Sequence, residues 1–122
     1  MNNNNVILRK SYKFALQVVN LYKLLCNDKK EYVLSKQLLR SGTSIGANIN
    51  EAMEGVSKAD FVNKLSISLK EARETLYWLN LLKDSEYLDL KNFQNAASEC
   101  DEIIKILKSI IITTKEKYLT KT

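Results

Sequence analysis

Apolar positions recur along most of the chain at spacings of three and four, which is how a helix with one buried face is written in sequence. In the last third, Phe93, Ala97, Cys100, Ile104, Leu107, Ile111, Thr114 and Tyr118 alternate those two spacings, and Ile103 and Ile110 widen the stripe. This heptad seam predicts one long helix over about 90–118, with Asp89 as its N-cap, because a short acceptor can satisfy the free amides of a first turn. Upstream, Ser57 followed by Lys58-Ala59-Asp60 reads as a capping box with Asp in place of Glu. Phe61, Leu65, Leu69, Ala72, Leu76 and Leu79 then share a face, predicting a helix over about 58–83. Val33, Leu34, Leu38, Ile45, Ile49, Ala52 and Met53 predict another over 30–54, and Phe14, Ala15, Val18, Leu21, Tyr22 and Leu25 a first over 8–26. The polar breaks at 27–29, 55–57 and 84–88 are short, and short connections force consecutive helices to lie antiparallel. The predicted fold is therefore all-α, an antiparallel up-down-up-down four-helix bundle forming one domain over 1–122. Asn2–Asn5 is expected to be a frayed end.

Composition supports long helices and removes much chemistry. The 122 residues include no proline, no histidine and only three glycines, Gly42, Gly46 and Gly55. Without histidine the usual general base, the commonest zinc ligand and every His-containing triad are missing. Cys26 and Cys100 have no CxxC spacing and read as reduced core thiols. No stretch has signal-peptide character or the roughly 20 apolar residues of a membrane helix. The sequence thus predicts a cytoplasmic protein with no membrane partner, no cofactor and no metal.

The second helix departs from helix propensity. Arg40-Ser41-Gly42-Thr43-Ser44-Ile45-Gly46-Ala47-Asn48 places two glycines mid-helix, each costing about 1 kcal/mol relative to alanine. Gly42 and Gly46 are four apart and share a face. They admit close approach of either a helix of the same chain or one of another subunit.

Charge is unevenly distributed. Residues 1–50 hold eight Lys/Arg (Arg9, Lys10, Lys13, Lys23, Lys29, Lys30, Lys36, Arg40) against two acids, an excess of six, whereas residues 51–122 hold eleven against twelve. Such asymmetry suits a polyanion, and a solvated basic face without a ligand is the alternative. Glu71 and Glu74 lie one turn apart with Arg73 between them, but no nucleophile or histidine accompanies them, so bundle ion pairs are the simpler reading and no catalytic residue is assigned. Counted outward from the turn at Gly55, Glu51 and Asn48 fall level with Asp60 and Asn63, and Arg40 falls near Glu71 and Glu74, which predicts an ion pair between Arg40 and one of them. Tyr77 and Trp78 are too bulky to share one core, so one is expected to face a partner unless Trp78 caps the bundle end.

The run Leu34 to Ile49 with Glu51, then Ser57-Lys58-Ala59-Asp60-Phe61, then Lys70 to Leu79, together with Ser11-Tyr12-Lys13-Phe14-Ala15, closely resembles the bacterial 23S rRNA intervening-sequence proteins. The resemblance implies a cytoplasmic bundle assembled into a ring-like homo-oligomer, typically a homopentamer, with no enzyme active site. A group related in fold, the accessory proteins of diversity-generating retroelements, binds nucleic acid together with a reverse transcriptase. By the same resemblance Arg40, Ser41, Ser44, Asn48, Glu51, Glu71, Arg73 and Glu74 are structural or interface residues. The expected function is a non-enzymatic homo-oligomer that binds RNA or DNA through Arg9, Lys10, Lys13, Lys29, Lys30, Lys36 and Arg40, with a nucleic-acid-processing protein such as a reverse transcriptase as a further partner. The alternative is a protein-interaction scaffold or accessory subunit with no direct nucleic-acid contact.

Overall fold

In the computed structural model, residues 3–119 are described, and they form helices α1 (Asn3–Asn27), α2 (Leu34–Met53), α3 (Lys58–Asp84) and α4 (Leu90–Thr114), followed by a short π-helical stretch, Lys115–Leu119. No strand occurs among the described residues. Packing runs α1 to α2, α2 to α3, α3 to α4 and back from α4 to α1, the closed square of a four-helix bundle. One cluster of buried side chains fills its centre, with Phe14, Val18, Leu38, Ile45, Leu65, Leu79, Ile103 and Leu107 nearly or fully excluded from solvent. Partners on α3 descend in number as those on α2 rise: Ser41 meets Thr75, Ile45 meets Ser68 and Glu51 meets Lys64.

Helix ends differ from the sequence expectation where side chains reach over more than one turn. α1 begins at Asn3 rather than near residue 8. Ile7 is wholly buried, and a helical amide needs four residues ahead of it to supply a carbonyl, so burying Ile7 draws the asparagines into the first turn. Asn3–Asn5 are therefore helical and not frayed, while Asn2 lies outside the described residues.

α2 begins at Leu34 rather than 30. Lys30 takes a left-handed conformation, φ 55°, which breaks any helix there. Glu31 then folds back over the new helix: its carboxylate accepts hydrogen bonds from the amides of Val33, Leu34 and Ser35 at 2.6–3.1 Å. A negative charge on amides that have no intrahelical partner is favoured at a helix start. Val33, predicted to be in the core, precedes the helix and is 73% exposed.

The caps of α3 and α4 lie where the sequence puts them. Ser57 Oγ accepts from the Asp60 amide at 3.0 Å, and Asp89 accepts from the Asn92 amide at 3.3 Å. α3 closes through a left-handed Glu86, φ 69°, with the amides of Tyr87 and Leu88 donating to the Leu82 carbonyl. α4 itself ends at Thr114 and passes directly into the π-helical Lys115–Leu119, so helix reaches the predicted 118, but Tyr118 is 46% exposed instead of continuing the seam. Of the predicted α4 seam, Cys100, Leu107, Ile111 and Thr114 are buried, as are Ile103 and Ile110 beside it, while Phe93, Ala97 and Ile104 lie on the flank and Ala96 is buried in addition.

Candidate interaction surface

The crossing of α2 over α1 explains the two glycines. A β-carbon on Gly42 would stand 2.7 and 2.8 Å from the two methyls of Val18, and one on Gly46 would stand 3.4 Å from Ser11 Oγ. Of the two readings left open by the sequence, the close approach is to a helix of the same chain. Ser11, fully buried, returns its hydroxyl to the Leu8 carbonyl at 3.1 Å.

On its other flank α2 meets α3 through a polar ladder. Ser68 Oγ donates to the Ile45 carbonyl at 2.8 Å, and Thr75 Oγ1 lies 2.9 Å from Ser41 Oγ and 2.8 Å from the Glu71 carbonyl. Each buried hydroxyl is thereby satisfied, which removes the desolvation penalty that an unpaired one would impose. Ser41, Ile45 and Glu71 were singled out in the sequence, but Ser68 and Thr75 were not. The signal was present: Ser68 and Thr75 continue the 3-4 spacing of Leu65, Ala72 and Leu79, and the buried face passes through them instead of Leu69 and Leu76.

At the surface above that ladder the predicted ion pair forms and is larger than expected. Arg40 donates through Nη1 to both Glu71 oxygens at 3.4 Å, through Nη2 to Glu74, and through Nε to Gln37 Oε1 at 3.3 Å. Trp78 Nε1 adds a bond to Glu74 Oε2 at 3.0 Å. The Arg40 side chain is 48% exposed, so water screens the pairing and its contribution is on the order of 1 kcal/mol or less. What the network fixes is position. It holds Trp78 against the core, and Tyr77 then projects, 60% exposed, with its ring edge-on to Trp78 at 5.0 Å and 75°. Asn48 is engaged with the Ser44 carbonyl at 2.8 Å, Glu51 pairs with Lys64 at 3.3 Å, and Arg73 is exposed.

The seven basic candidates do not form a single patch. Lys10 bridges to Glu102 of α4 at 2.7 Å, and Arg40 is taken by α3. Arg9 and Lys13 lie exposed on α1, whereas Lys29, Lys30 and Lys36 cluster where α1 passes into α2. Sequence could count these charges but not say which neighbouring helix would claim them.

The two thiols differ. Cys100 is buried, donates to the Ala72 carbonyl at 3.2 Å, and is pushed up to about 12 by burial and then by the charge of Asp101; it is a neutral core group at physiological pH. Cys26 is half-buried, 3.7 Å from Ser35 Oγ, and shares a hydrogen bond that raises Tyr22. Among the described residues no group of three or more Cys, Asp or Glu side chains is placed to hold a metal ion, and no helix is long and apolar enough to cross a membrane.

Against known proteins, no curated protein matches the chain. A crystal structure at 1.70 Å of a protein of unknown function from the S23 ribosomal protein family of Bacteroides thetaiotaomicron is 54% identical, with a TM-score of 0.90 over 91% of this chain and 99% of that one. Residues 3–109 match the family described as 23S rRNA-intervening sequence protein. The match spans all of α1, α2 and α3 and most of α4, including the Arg40–Glu71–Glu74 network and both glycines of the close crossing, and the chain belongs to the 23S rRNA-intervening sequence protein family.

Proposed function

We propose that the protein is a non-enzymatic, antiparallel up-down-up-down bundle that self-associates into a ring, of five chains by the family resemblance, and holds RNA or DNA by phosphate contacts from α1 and α2. The opposed numbering of the α2 and α3 partners supports the topology. The observation that carries the binding reading is the cluster Lys29, Lys30 and Lys36. All three are exposed, and none is in an ion pair among the described residues; of the two acids beside them in sequence, Glu31 is spent on the amides of α2 and Asp28 is exposed. Three lysines against one adjacent exposed acid, with Lys29 also acting on Asp89, leave a net positive surface that gains from displacing counterions on a phosphate backbone. Lys10 and Arg40, already paired with Glu102, Glu71 and Glu74, are secondary.

Three phosphate contacts per chain predict a roughly 40-fold fall in affinity between about 50 and 200 mM salt. The triple variant Lys29→Glu, Lys30→Glu, Lys36→Glu is expected to abolish retention of RNA and DNA at low salt while keeping its helical circular dichroism. Retention by that variant equal to the wild type, or no retention by the wild type at about 50 mM salt, overturns the reading. In the second case a protein-binding scaffold becomes the better account, favoured by the projecting Tyr77.

A further inference from the structure

Between α1 and α4 the bundle is open. A groove of about 770 Å³ runs along this side, walled by Phe14, Leu16 and Leu24 and floored in part by the amides of Asn92 and Asn95. Leu16 is 50% exposed at its lip. Glu99, half-buried at the end nearer Lys13, is in no ion pair among the described residues. A trough that sets Phe14, Leu16 and Leu24 against polar side chains of α4, with a carboxylate that Lys13 at the same level leaves out of an ion pair, fits an aromatic knob carrying a cation.

The same chain presents such a knob elsewhere. α3 sits diagonally across the square from α1, and its outer face carries Tyr77, braced by Trp78, with Arg73 one turn away. Arg73 is exposed and in no ion pair among the described residues. The levels also agree. Cys100 reaches Ala72, and Lys10 reaches Glu102. Given opposed helix directions, Arg73 therefore lies at the height of Glu99 and Lys13, and Tyr77 at the height of Asn95. A neighbour rotated about an axis along the bundle would offer Tyr77 to the groove and Arg73 to Glu99 without sliding.

We propose that the α1–α4 groove receives the Tyr77–Arg73 face of a second copy of this chain. This rests on the self-association proposed above and gives it a form: a head-to-tail contact between two different surfaces, the kind that continues from chain to chain until a ring closes. The groove's polar atoms and the braced aromatic match the composition of an interface in which an aromatic anchor enters a pocket rimmed by amides and charges.

Light scattering with complementation tests it. Leu16→Glu spoils the groove and Tyr77→Glu spoils the knob, so each variant alone is expected to run at the 14.0 kDa of one chain at concentrations where the wild type associates. Mixed in equal amounts they retain one good groove and one good knob between them, and a particle of two chains and no larger is expected. Wild-type mass in both single variants, or a mixture that stays monomeric, overturns the proposal. Should Leu16→Glu lose its helical circular dichroism, charge reversal decides: Arg73→Glu and Glu99→Lys each weaken association at least tenfold, and the double variant restores it. Failure of restoration overturns the contact. If the wild type itself runs as one chain, the self-association reading falls and this contact with it; if the wild type associates while all these variants also do, only the contact falls.

Discussion

On the side it shares with α2, helix α1 is approached so closely that Gly42 has no room for a β-carbon, whereas on the side it shares with α4 a groove of about 770 Å³ stays open. The same helix therefore has a dry, tight seam and a loose one. Residue size on the facing helix accounts for the difference. α2 offers glycine at both crossing points, so Val18 and Ser11 sink against its backbone. α4 offers Asn92, Asn95, Ser98 and Glu99 along the corresponding stretch, larger and more polar side chains that leave the helices apart until Lys10 and Glu102 bridge the gap. The tight seam can be altered only by overlap. The loose one can be filled from outside.

The largest effect is expected at the tight seam. In Gly42→Ala the new methyl falls under 3 Å from both branches of Val18, a buried β-branched side chain with essentially one rotamer in a helix. Overpacking of this kind costs about 1–3 kcal/mol, more than the helix propensity that alanine returns. Denaturant melts are expected to show a lower midpoint, and an unchanged midpoint would mean that the seam is softer than its geometry. Gly46→Ala separates the two glycines that sequence treats alike. Its methyl meets Ser11 at ordinary contact distance, 3.4 Å, so the propensity gain of up to about 1 kcal/mol is expected to survive and the midpoint to rise. A loss comparable to that of Gly42→Ala would show that the crossing is tight along its whole length.

How much of this was legible follows from what each feature depends on. The helices were readable because a 3-4 apolar spacing is local information, and the Arg40 pairing was readable because a three-residue break at 55–57 fixes the register of α2 against α3. The start of α2 was not, since Glu31 caps it by curling back over three amides and no short motif announces that. The flank glycines could be recognised as a close crossing, but the identity of the crossing helix needed the coordinates. The basic excess was countable, yet Lys10 and Arg40 are removed from it by carboxylates some 92 and 31 positions away in the chain, Glu102 and Glu71. The groove left no trace at all, because it is a property of the distance between α1 and α4 and of no single segment.

The smallest expected effect concerns how α4 is held where α1 does not help it. Asn92 lies at the groove and also serves Asp89: its side-chain amide donates to Asp89 Oδ1 at 2.6 Å and its backbone amide to Oδ2 at 3.3 Å. Those two bonds favour the ionised carboxylate and hold Asp89 below its ordinary value, with a further contribution from the charge of Lys29. The folded value is thus the lower one, so the cap contributes its full stabilisation above the usual carboxylate value of about 4 and loses it as pH falls through the depressed value. Because Asp89 is exposed, the loss should be local: hydrogen exchange in the first turn of α4 is expected to accelerate as the acid is protonated, before the α1–α2 seam responds. Asp89→Asn keeps an acceptor without the charge, and is expected to leave that turn's exchange flat across the same pH range. An equal pH dependence in the variant would show that another carboxylate governs this end of the bundle, and that the open side is secured by something other than the Asp89–Asn92 pair.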